Sequence, residues 1–179
     1  PKDRAYLYQA MWTDEPMAHL LPDWTLPGCE GKNVPVWCYT NGDEAELYLN
    51  GVSQGVRRRA DTADLHLTWM VPYAPGELRV EARRNGKVVA ADERRTAGPK
   101  ASVRKTVLFE RGNLRLVRFD AVDRDGNRVI ACEDEIEIDP SEGEILAAAN
   151  GSPLERTPRR ARRRSLFRGS LAVWLRGGR

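Results

Sequence analysis

Between residues 33 and 95 apolar and polar side chains trade places with a period of two. Val34, Val36 and Cys38 alternate with Pro35, Trp37 and Tyr39, and the run Glu44–Leu49 repeats the pattern. Successive side chains of a strand point to opposite faces, so this period predicts half-buried strands. Leu65–Val71, Glu77–Arg84 and Lys87–Arg95 extend the series. Asn41-Gly42, Asn50-Gly51 and Asn85-Gly86 punctuate it. An Asn-Gly pair between alternating runs predicts a type I′ hairpin, because both central residues of that turn need positive φ. Short strands at this spacing predict a β-sandwich, with Trp37 and Trp69 in its core.

The flanks read differently. Asp3–Met11 has no Gly or Pro and predicts a short helix. From Thr13 to Lys32, Pro16, Pro22, Pro27, Gly28 and Gly31 break any long element, which predicts a Pro-rich linker packed through Leu20, Leu21, Trp24 and Leu26. Thr96-Ala97-Gly98-Pro99 halts the first series, and a second begins near Ala101. It runs through Val103, Val107, Leu114, Leu116, Phe119 and Val122, then Ile136 and Ile138, Glu144–Ala149 and Ser170–Leu175. The chain is therefore expected to be all-β, with two tandem immunoglobulin-like sandwiches, a short N-terminal helix and a boundary near residues 97–100.

Size and composition narrow the function classes. A (β/α)₈ barrel needs at least ~200 residues, so 179 residues cannot hold a whole one. No apolar run approaches the ~18 residues that would span a bilayer, and no membrane partner is expected. Cys29, Cys38 and Cys132 show no metal-binding spacing and read as free thiols. The net charge of +3 conceals an asymmetry: residues 156–179 carry nine arginines and no acid. Nucleic-acid readers interleave aromatics with such charge, whereas only Phe167 stands nearby, so no nucleic-acid partner is expected. The run can equally pair with acidic strands of its own domain, and its role stays open. The compartment stays open.

Three blocks carry a family resemblance: YLYQAMWTDEPMAHLLPDW, VPVWCYTNGDEAELYLNG and WMVPYAPGELRVEARRNGKVVAADERRTAGP. With the closing AANGSPLERTPRRARRRSLFRGSLAVWLR, they resemble the region that follows the catalytic barrel in bacterial β-galactosidases of glycoside hydrolase family 2. The resemblance implies that residues 1–16 are the end of the barrel's last helix plus a linker, 17–98 a first β-sandwich and 99–179 a terminal immunoglobulin-like domain. It also implies that the family's two catalytic glutamates lie upstream of Pro1. Two blocks depart from the family pattern: Asp23-Trp24-Thr25-Leu26 replaces His-Trp-Asn-Trp, and Gly151-Ser152-Pro153 replaces Gly-Asp-Pro.

Weighed as chemistry, the chain offers little. Glu135, Glu137 and Asp139 share one strand face opposite Ile136 and Ile138 and read as a solvated surface. His66 reads as an outward strand residue, and neither it nor His19 stands in a nucleophile motif. No catalytic residue, metal or cofactor is expected. Trp12, Trp24 and His19 are the candidates for contact with carbohydrate or with the barrel. The expected function is a non-catalytic accessory portion supporting the barrel in hydrolysis of β-galactosides. A stand-alone carbohydrate-binding module or an adhesin-like sandwich pair is the alternative.

Overall fold

The computed structural model describes residues 3–177. The chain divides into two units between Thr96 and Ala97. The first opens with helix α1 (Asp3–Trp12), followed by β1 (Ala18–Leu21), β2 (Asn33–Thr40), β3 (Glu44–Leu49), β4 (Val52–Arg58), β5 (Leu67–Pro72), β6 (Glu77–Arg84) and β7 (Lys87–Arg95). These strands form two antiparallel sheets, one ordered β1-β2-β5 and the other β4-β3-β6-β7. The alternation works as predicted in the sheet interiors: Ala45, Leu47 and Leu49 of β3 face Leu78, Val80 and Ala82 of β6. With Leu20, Trp24, Val36, Cys38, Leu67, Trp69 and Val71 they close a single core.

The three Asn-Gly pairs part company. Asn50 and Gly51 lie at φ 51° and 79°, Asn85 and Gly86 at 51° and 75°, and both pairs turn hairpins. Asn41-Gly42 does not, because β2 and β3 belong to different sheets and the pair carries the chain across the sandwich. Gly42 is needed there for closeness: a Cβ would sit 2.8 Å from the carbonyl oxygen of Arg83. The Asn41 amide donates to the carbonyls of Thr13 and Glu15 while its oxygen accepts from the Met17 N–H, which ties the α1–β1 connection to the sandwich.

The linker expected over residues 13–32 is also corrected. Ala18–Leu21 form β1, pairing with Thr40–Trp37 of β2. Four residues are too few for a visible period, and the strand is anchored by a carboxylate from β7, with Asp92 Oδ2 accepting from Leu20 N–H at 2.8 Å.

The second unit contains β8 (Ser102–Arg111), β9 (Leu114–Val122), β10 (Glu135–Glu137), β11 (Glu144–Ala149), β12 (Arg163–Ser165) and β13 (Ser170–Arg176). A four-stranded antiparallel sheet ordered β11-β13-β9-β8 accompanies a two-stranded sheet of β10 and β12. Val117, Ala121, Cys132, Ile138, Ile145, Ala148, Leu166, Leu171, Val173 and Leu175 fill its core. Cys38 and Cys132 are buried free thiols, and Cys29 is a half-buried one.

Candidate functional site

A glycosidase site needs two carboxyl groups on a rigid frame, and one must have a raised pKa to act as an acid. The strand Glu135–Glu137 keeps both carboxylates exposed, and Glu137 pairs with Arg163. Sequence reasoning passed over a better-framed pair. Glu46 on β3 lies directly across from Glu81 on β6. Arg83 bridges them, with Nη1 2.8 Å from Glu46 and Nη2 3.1 Å from Glu81. Hydrogen bonding with Tyr48, then Ser53 and Arg83, pulls the Glu46 carboxyl down to about 2. Glu46 is thereby held as a carboxylate, the reverse of what a proton donor requires. The Cys38 thiol is no nucleophile either, since burial pushes it up to about 12. Among the described residues no three His, Cys, Asp or Glu side chains come together to hold a metal ion.

The three sequence candidates separate, Trp24 into the core and Trp12 and His19 to the two sides of α1. Trp24 is 1 % exposed and lies in the core, where Nε1 donates to the Ala74 carbonyl at 3.0 Å and the indole meets Tyr73 edge-on. It is therefore no surface contact. The segment around it is rich in Pro and Gly, which report chain direction but say nothing about burial. Trp37 makes the opposite move. It was expected in the core, yet it is 40 % exposed, lying beside His66 on the outer face of the three-stranded sheet while Val36 and Cys38 point inward. Trp69 is buried as expected.

Trp12 and His19 do share a neighbourhood, and α1 organises it. One side of the helix sends Tyr6, Leu7 and Ala10 against Met17, Leu21 and Tyr39. Tyr6 stacks on His19 at 3.6 Å, and His19 sits opposite Tyr39 across β1 and β2. The other side presents Tyr8, Met11 and Trp12 to solvent, with Trp12 76 % exposed and stacked on Tyr8 at 4.6 Å. A ten-residue helix with apolar groups on both sides is glued to the sheet by one and leaves the other largely to solvent, with the Arg59 guanidinium 3.7 Å from the Met11 sulfur.

His19 fastens this helix. Arg94 Nη2 lies 3.2 Å from Nδ1, and since a guanidinium only donates, Nδ1 accepts and the neutral ring carries its proton on Nε2. Asp3 of α1 lies 3.6 Å from that nitrogen. Burial, then the Arg94 charge, lowers the His19 pKa against the opposing pull of Asp92 and Asp3. The sign follows. With the folded pKa below the unfolded one, only the unfolded chain gains the proton as pH first falls below about 6.5. Stability contributed by neutral His19 is therefore complete above that value and declines from there down through the folded pKa. Thermal unfolding compared at pH 7.5 and 5.5 checks this: the native chain loses stability over the interval, and His19→Gln flattens that loss.

The two units, each built of antiparallel sheets around its own core, define an all-β region of tandem sandwich domains. The comparisons agree in detail. Residues 100–179 match the glycoside hydrolase family 2 C-terminal domain 5, and residues 31–90 match a domain of unknown function, DUF4982. The chain is 38% identical over 180 residues to the beta-galactosidase BoGH2A of Bacteroides ovatus, covering 97% of this chain and 21% of that protein. It superimposes on a beta-glycosidase from Bacteroides vulgatus with a TM-score of 0.91 and 34% identity, across 100% of this chain and 24% of the other. A beta-glucuronidase from Parabacteroides merdae aligns with a TM-score of 0.53 and 28% identity, over 97% of this chain and 23% of its own. The chain belongs to the C-terminal region of glycoside hydrolase family 2, and it spans about a fifth of the length of the curated relative.

Proposed function

We propose that these two sandwiches are non-catalytic accessory modules of a β-galactoside-cleaving enzyme, and that α1 is the seat on which its catalytic barrel rests. The solvent-facing side of α1 carries the argument. Tyr8, Met11 and Trp12 form an exposed apolar strip on a helix already fixed from behind. Leaving such a strip in water is unfavourable by about 25 cal/mol per Å², and contiguous patches of this kind mark contact surfaces. β-Galactosides are favoured as the parent's substrate because the relative of highest identity quoted above is a β-galactosidase.

Oxidative footprinting tests the seat. Met11 and Trp12 label readily in this polypeptide and become protected in the full-length enzyme. Equal labelling in both would show that α1 faces solvent throughout and would remove the docking role.

A further inference from the structure

The connection from β11 to β12, residues 150–162, holds four arginines and a single acid, Glu155. That acid is turned inward. Its carboxylate accepts from the Asn150 amide and the Thr157 N–H, both at 2.7 Å, and lies 3.5 Å from Arg164. Arg164 of β12 is 2% exposed and donates through Nη2 to the carbonyls of Thr157 at 2.9 Å and Pro158 at 2.7 Å. Arg162 reaches back to the Gly143 carbonyl at 3.2 Å, and the loop backbone is caught again where Ala148 N–H donates to the Arg159 carbonyl at 2.7 Å.

The loop is thus fixed from inside by an arginine and a glutamate, and its outer side is left to Arg156, Arg159 and Arg160. All three are exposed, and their side chains make no ion pair or hydrogen bond among the described residues. Leu154, 84% exposed, stands beside them. The neighbouring arginine Arg163 already has an acid, Glu137, whereas these three have none among the described residues.

We propose that this loop is a binding site for a carboxylate-bearing polysaccharide, a chain of uronic acid units. A guanidinium is a planar fork that matches a carboxylate with two parallel hydrogen bonds. Holding the backbone in place beforehand removes much of the ordering cost of binding. Leu154 supplies an apolar surface for the C–H face of a sugar ring. Nucleic acid is the poorer fit, because binding of its strands draws on aromatic side chains for base stacking and residues 150–162 contain none.

The proposal rests on the accessory-module reading only in giving that module a glycan to hold, and its test uses no turnover. Calorimetric titration of the full chain with a tetragalacturonate, with a neutral galactotetraose and with a single-stranded oligonucleotide of equal charge decides it. The acidic oligosaccharide is expected to bind and to weaken as salt is raised, while the neutral one gives no signal. The triple variant Arg156→Ser/Arg159→Ser/Arg160→Ser is expected to lose at least about tenfold in affinity with an unchanged circular dichroism spectrum. No tetragalacturonate binding, a triple variant that binds as well as the native chain, or an oligonucleotide that binds as tightly would each overturn the assignment. None of these results touches the accessory role, which only hydrolysis by this polypeptide would remove.

Discussion

Replacing Arg164 with Met lowers the stability of the second unit by about 1–3 kcal/mol, the range for leaving buried hydrogen-bonding groups without their donor. The loss comes from the groups left behind rather than from volume, since Met fills much of the arginine stem's space. Glu155 keeps its charge but loses the cation 3.5 Å away, and the carbonyls of Thr157 and Pro158 lose a shared donor. Denaturant unfolding reads the shift as a lower midpoint. The double variant Arg164→Met/Glu155→Leu recovers a substantial part of it, because the stranded carboxylate is gone. A single-variant loss below about 1 kcal/mol would mean that the loop is held by its backbone alone.

Trp24→Ala costs the first unit about 3–5 kcal/mol, as truncation of a buried aromatic does. The indole is 1% exposed, meets Tyr73 at 4.9 Å, and its N–H satisfies the Ala74 carbonyl. Two further bonds hold its surroundings: Thr96 Oγ1 donates to the Trp24 carbonyl at 2.6 Å, and Leu26 N–H donates to the Tyr73 hydroxyl at 3.2 Å. Trp24→Phe keeps most of the packing and strands the Ala74 carbonyl, so its cost falls to about 1–3 kcal/mol. Trp12→Ser, on the exposed side of α1, stays within about 0.5 kcal/mol of the native chain in the same unfolding experiment. Equal effects at Trp24 and Trp12 would contradict their assignment to core and surface.

These two residues show what the sequence could and could not convey. Strand identity came through where apolar and polar positions alternate over six or more residues, as in Glu44–Leu49 and Glu77–Arg84, and where Asn-Gly adopts positive φ at Asn50 and Asn85. Asn41-Gly42 carries the same letters for another reason, the approach of the Arg83 carbonyl, and only the fold distinguishes the two. Trp37 and Trp69 both sit in alternating runs. Which faces the core depends on the outer face of the three-stranded sheet, and that face is itself apolar because α1 covers part of it. Arg164 is the clearest case. It stands in an unbroken run from Arg162, so nothing local separates the buried member from its exposed neighbour Arg163. The difference lies in Glu155 and two carbonyls from the preceding loop. The bridged pair Glu46 and Glu81 was equally silent, since cross-strand register brings together residues 35 positions apart.

That register also bears on catalysis, for it places Glu46 and Glu81 on either side of the Arg83 guanidinium, which helps to hold Glu46 as an anion. The most direct check of the account is therefore incubation of the purified polypeptide with p-nitrophenyl β-D-galactopyranoside, following release of the nitrophenolate. The account predicts a rate equal to the buffer blank at every protein concentration. A rate that rises with protein, saturates with substrate and vanishes in Glu46→Gln or Glu81→Gln would contradict it.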